Sequence, residues 1–107
     1  MALRVGLLSL EMVAAVRPLV GRIRRRDRSL ADQLVRAASS VALNISEAEY
    51  SDPGNARSRL FTAAGSANEA RTALKLGVAW GYLGVADAEG AVAIADRVVA
   101  RLFRLTR

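Results

Sequence analysis

Two segments, QLVRAASSVALNISEAE (33–49) and FTAAGSANEARTALKL (61–76), carry polar residues inside apolar patterns that repeat every three or four positions. That period belongs to amphipathic helices and not to strands. Between them runs Tyr50-Ser51-Asp52-Pro53-Gly54-Asn55, in which Asp52 suits a helix cap and Pro53 the first helical position. Two helices joined by so tight a turn must lie side by side. Equal rise per residue then makes residues level when their numbers sum to about 104. Arg36 falls level with Glu69, Ser40 with Gly65, Asn44 with Leu60, and Glu47 with Arg57.

On a helical wheel, Gln33, Arg36, Ser40, Asn44 and Glu47 form a narrow band beside the apolar stripe Leu30, Leu34, Ala37, Val41, Ile45 and Ala48. Glu69 falls between Leu76 and Trp80, away from the side marked by Asn68, Arg71 and Lys75. A carboxylate among apolar neighbours needs a cation and hydrogen bonds, or its pKa rises, and Arg36 is the level partner. The band, with Ser66 and Glu69 opposite, reads as a structural polar network that fixes how the two helices mate, Gly65 and Ser66 being small enough for Ser40 to approach. The competing reading is a polar site with Glu47 or Glu69 as a catalytic carboxylate. These two lie too far apart along the facing pair for joint acid and base work on one bond.

The remainder of the chain supplies two more helices. At 107 residues and 52% hydrophobic content, residues 1–107 make one ordered domain, and abundant Ala and Leu with only two prolines favour an all-α class. The expected helices span about 3–26, 30–49, 53–81 and 87–105. Ser29 is the expected cap of the second, and Pro18 should kink or break the first. Leu8, Val13, Val16, Val20 and Ile23 point inward from the first helix, and Ala91, Ala95, Val98, Leu102 and Leu105 from the fourth. Short connections make this an antiparallel up-down-up-down four-helix bundle. Val35, Ala42 and Leu43 extend beyond the stripe of the second helix, and Phe61, Leu76 and Trp80 form an extra arc on the third. Helices with more than one apolar face need more than one partner surface, so a homo-oligomer is expected.

The chain has no Cys and no His, which removes thiolate and imidazole chemistry and most zinc sites. No enzyme activity, catalytic residue, metal or cofactor is expected. Arg4, Glu11 and Arg17 interrupt the apolar N-terminal run, so neither a signal peptide nor a membrane span is read there, and a cytoplasmic location is expected.

The formal net charge is +6, and all but one of the 16 basic residues are Arg. Such a balance favours acidic partners: RNA, DNA or an anionic protein surface. Arg22, Arg24, Arg25, Arg26 and Arg28 crowd the end of the first helix, where favourable interaction with the helix dipole accounts for one or two cations but not five. Arg97, Arg101 and Arg104 line the polar side of the fourth helix as a second group. Both groups are candidate phosphate contacts. No aromatic platform and no helix-turn-helix accompanies them, so sequence-tolerant nucleic-acid binding is expected rather than base readout. A scaffold that docks an acidic protein is the alternative.

The polar band also carries a resemblance. Gln33, Arg36, Ala37, Ala38, Ser40, Val41, Asn44, Ile45 and Glu47, followed by Gly65, Ser66 and Glu69 and then by GYLG, resemble the pattern of the bacterial four helix bundle proteins encoded within intervening sequences of 23S ribosomal RNA genes. The likeness covers nearly the whole chain. Two departures stand out: Glu47-Ala48 replaces a Glu-Gly pair, and Tyr50, Ser51 and Asp52 replace a basic residue and Ser. The resemblance implies a four-helix protomer in a ring-like homopentamer without established enzymatic activity. More distantly, the chain is similar to the accessory variability determinants of diversity-generating retroelements, which implies a basic surface for nucleic acid and a reverse transcriptase.

Overall fold

A computed structural model describes the backbone of residues 2–107 and the side chains from Arg4 onward. Four helices follow in order: α1 (Ala2–Arg24), α2 (Arg28–Glu49), α3 (Pro53–Ala79) and α4 (Val85–Thr106). They pack as a four-sided bundle of 42 × 22 × 20 Å, in which α1 touches α2 and α4, and α3 touches the same two. The contact between α2 and α3 is the most extensive.

Every residue of the expected α2 stripe is buried, and Ala31 and Ala38 join it. The core is closed by Met12, Val16, Leu19 and Ile23 from α1, Ala63, Ala67, Ala70 and Leu74 from α3, and Ala91, Ala95, Val98 and Leu102 from α4. Val13, Val20 and Leu105, expected inward, are only partly buried because they lie at the edges of their stripes. So many alanines on α3 let its neighbours approach closely, and the large side chains from α1 and α2 fill the space between.

α1 passes through Pro18 without interruption. Ala14, whose carbonyl loses the amide that Pro18 lacks, and Pro18 itself are both exposed, so water can satisfy the freed acceptor. The cap of α2 is Asp27 rather than Ser29: its Oδ1 accepts from the Leu30 amide at 3.0 Å, while Oδ2 accepts from the Tyr82 hydroxyl at 3.2 Å. α2 starts at Arg28, so Ser29 already lies inside the helix and Asp27 holds the cap position, where its two carboxylate oxygens serve the two donors separately. Asp52 caps α3 as expected, accepting from the Asn55 amide at 3.0 Å, with Pro53 in the first turn.

α3 ends earlier than expected, in a Schellman turn. Gly81 adopts φ 82°, the Tyr82 amide donates to the Gly77 carbonyl at 2.8 Å, and the Gly81 amide donates to Val78 at 3.0 Å. At Gly77 a Cβ would meet Leu83 at 3.1 Å and Ile23 at 3.4 Å, so the missing side chain lets α1 and the turn close on α3. α4 begins at Val85, two residues before the expected Asp87.

Among the described residues no helix is long and apolar enough to cross a membrane.

Candidate functional site

The expected polar network is realised in its centre and not at its ends. Asn44 Nδ2 donates to the Ser40 carbonyl at 2.9 Å and to Ser40 Oγ at 3.1 Å, and Ser40 Oγ lies 2.9 Å from Ser66 Oγ. All three residues are half-buried. One turn beyond Asn44, Glu47 forms an ion pair with Arg59 at 2.8 Å. Both cross-helix pairs add to 106, so each residue meets a partner one or two positions further along α3 than the sequence rule placed it. Ser40 therefore meets Ser66 and not Gly65, and Glu47 meets Arg59 and not Arg57. Arg57 instead donates to the Thr106 carbonyl at the end of α4, at 2.9 Å.

Gln33, Arg36 and Glu69 depart from the expectation. All three are exposed, and among the described residues Arg36 and Glu69 form no ion pair. For Arg36 and Glu69 helical twist gives the reason. Arg36 stands four residues before Ser40 and Glu69 three after Ser66, and at 100° per residue each is carried away from the core, onto the outer flank of its helix. Gly65 is also exposed, and a Cβ there would meet nothing within 4 Å, so within the protomer its smallness serves no contact with Ser40.

The outer flanks that carry Arg36 and Glu69 also expose Leu43 (64%), Leu76 (41%) and Trp80 (66%). Phe61 is turned the other way. It lines a groove between α3 and α4 with Ala64, Gly65, Val99 and Phe103.

The arginine-rich turn after α1 is largely engaged by the protein itself. Arg22 pairs with Asp87 at 3.1 Å, Arg24 with Asp32, and the Arg26 guanidinium lies 5.6 Å from the centre of the Tyr82 ring. Arg25 and Arg28 are exposed, and among the described residues neither forms an ion pair. The α4 group is arranged differently. Arg101 and Arg104 line a groove of about 600 Å³ against α1, together with Arg4, Val5 and Leu105; Arg97 is exposed nearby. Arg4 joins this group only through the fold, since its neighbours lie almost a full chain length away in sequence.

Two ionisable groups are displaced from their ordinary values. Hydrogen bonds from the Asn55 amide and side chain hold the Asp52 carboxyl below the usual carboxylate range. Partial desolvation, then the hydrogen bond and negative charge of Asp27, push the Tyr82 phenol above its usual value of 10.0. Each belongs to a helix boundary. Among the described residues no three potential metal-ligating side chains gather.

The sequence profile of the 23S rRNA-intervening sequence protein family matches residues 2–104. The chain belongs to that family. A crystal structure of a protein of unknown function from the S23 ribosomal protein family of Bacteroides thetaiotaomicron has the same fold. Its TM-score is 0.87 at 22% identity, over 96% of this chain and 98% of that one. A comparison with curated proteins found no match. The polar residues that carry the resemblance therefore fall partly on the half-buried seam (Ser40, Asn44, Ser66) and partly at exposed positions (Gln33, Arg36, Glu47, Glu69).

Proposed function

We propose that this family member is a non-enzymatic, antiparallel up-down-up-down protomer that assembles as a ring-like homo-oligomer, a pentamer as its family resemblance implies. In this reading its arginine surface binds RNA or DNA through phosphates, without reading sequence. The antiparallel arrangement is supported by cross-helix contacts with near-constant residue sums. Ser40 with Ser66 and Glu47 with Arg59 add to 106, and Arg71 with Asp96 and Arg57 with Thr106 add to 167 and 163. Assembly is supported by exposed apolar side chains on two separate faces, Leu43, Leu76 and Trp80 on one and Phe61 and Phe103 on the other. A ring needs two different surfaces on each copy, because its contacts are head-to-tail. Fully burying a large apolar side chain contributes about 1.5–3 kcal/mol, so five of them give a gain of the same order as the entropic cost of association.

The observation that carries nucleic-acid binding is the excess of arginines without a carboxylate. Arg25, Arg28, Arg97, Arg101 and Arg104 form no ion pair among the described residues, in a chain of net charge +6. Ring assembly would repeat these cations around the oligomer and let weak contacts act together. The test is a mobility-shift titration with RNA and duplex DNA of unrelated sequences at rising salt. Binding should weaken steeply and alike for all sequences as salt rises. No binding at low salt, or binding insensitive to salt, overturns the reading.

A further inference from the structure

We infer that the groove between α1 and α4, lined by Arg4, Arg101 and Arg104, is a phosphate-binding site, and that it, rather than the five-arginine turn after α1, holds the nucleic-acid backbone. The second clause rests on the nucleic-acid reading above; the first does not.

Three observations converge. The groove brings three guanidinium-bearing side chains from two helices around Val5 and Leu105, and among the described residues no carboxylate lines it. None of the three arginines forms an ion pair among the described residues, whereas Arg22, Arg24, Arg59 and Arg71 do. The nearest carboxylate along α1 is the exposed Glu11, about 10 Å further on by helical rise; Glu49 of α2 reaches α1 at Gly6 but does not line the groove. Helix dipoles do not account for the cluster either. Arg104 stands in the last turn of α4, where a cation is favoured, but Arg4 stands in the first turn of α1, where it is not. Like charges held together without a counter-charge repel, and an anion between them reverses that term. Guanidinium groups suit phosphate oxygens in particular, because their planar fork can donate two parallel hydrogen bonds. An apolar floor beneath them lowers the local dielectric and strengthens the contact.

The turn after α1, about 27 Å away along the same helix, offers less. Two of its five arginines already pair with Asp87 and Asp32, and a third lies against Tyr82.

The experiment compares the full chain with two charge-matched variants: Arg4→Gln/Arg101→Gln/Arg104→Gln in the groove and Arg22→Gln/Arg25→Gln/Arg28→Gln at the turn. Each is titrated with single-stranded RNA over a salt series and, separately, with tripolyphosphate by calorimetry. The groove variant should lose about tenfold or more in RNA affinity at low salt, and its salt slope should fall by about two, at about 0.7 per lost phosphate contact. It should also lose tripolyphosphate binding, while the turn variant stays near wild type in both. Arg4→Gln alone, at an exposed position that cannot threaten the core, should lower the slope by about 0.7. If the groove variant binds RNA like wild type while the turn variant does not, the site is wrong and the nucleic-acid reading stands. If the wild type binds tripolyphosphate in the groove but no RNA or DNA, the site stands and the nucleic-acid reading falls. Binding of neither ligand by the wild type overturns both.

Discussion

The Ser40 and Ser66 hydroxyls lie 2.9 Å apart across α2 and α3, and Asn44 donates to the same Ser40 oxygen. Ser40 thus accepts from its own helix and shares a hydrogen bond with the facing one. A chain of three polar side chains ties the α2–α3 register to an atomic position that apolar packing alone would leave loose.

Removing either hydroxyl tests that tie. Ser40→Ala should destabilise the protomer by about 1–2 kcal/mol, because it leaves Ser66 and one Asn44 donor short of a partner, and Ser66→Ala by about 1 kcal/mol. The double variant should cost less than the sum. Urea unfolding of the four proteins in a double-mutant cycle measures the coupling; strict additivity would mean that the two hydroxyls do not interact.

Glu69→Ala should change protomer stability by less than about 0.5 kcal/mol, since Glu69 is exposed and unpaired within it. If the face it shares with Leu43, Leu76 and Trp80 meets another copy, the loss appears in assembly instead. Light scattering over a concentration series checks this, with Leu43→Glu as the stronger perturbation. An unchanged oligomer in both variants excludes that face from the interface.

At the α2 boundary, Asp27→Ala should cost about 1–2 kcal/mol, through the lost cap and the lost acceptor for Tyr82. The Tyr82 phenol titrates above its unfolded value, so above about pH 10 the folded state holds more protons than the unfolded one. The stability Tyr82 contributes is therefore present at neutral pH and is lost as pH rises from about 10 through the folded value. Thermal melts between pH 8 and 11 should show this alkaline decline reduced in Tyr82→Phe.

Asp52 works in the opposite sense. Its folded value lies below the usual carboxylate value of 3.8, so its contribution is present above the unfolded value and lost as pH falls through the folded one. Asp52→Asn keeps the capping oxygen but cannot be protonated in this range. Acid unfolding followed by circular dichroism should show a shallower decline below pH 4 in that variant.

Local pattern revealed much of this architecture. The stripe Leu30, Leu34, Ala37, Val41, Ile45 and Ala48, the Asp52–Pro53 start of α3 and the polar centre at Ser40 and Asn44 all depend on residues within a few turns of one another, where helical period and capping chemistry decide. Ser29 suits a cap for the same reason, but α2 starts at Arg28, so Asp27 takes that position and also accepts from Tyr82, 55 residues away. The register offset moved the partner of Ser40 by one residue, from Gly65 to Ser66, and helix twist then placed Arg36 and Glu69 on the outer flank.

The sequence by itself determined that this chain forms four amphipathic helices, that α2 and α3 meet along a polar seam, and that arginine dominates its charge. Those properties follow from periodicity and composition, which are local or additive. Tertiary structure alone decided which arginines are neutralised. Asp87 and Asp32 draw charge from the turn after α1, while Arg4, Arg101 and Arg104 come together with no carboxylate among them. Pairing at a few ångströms depends on register and helix rotation, and one residue of offset or a fraction of a turn separates a neutralised cation from a free one.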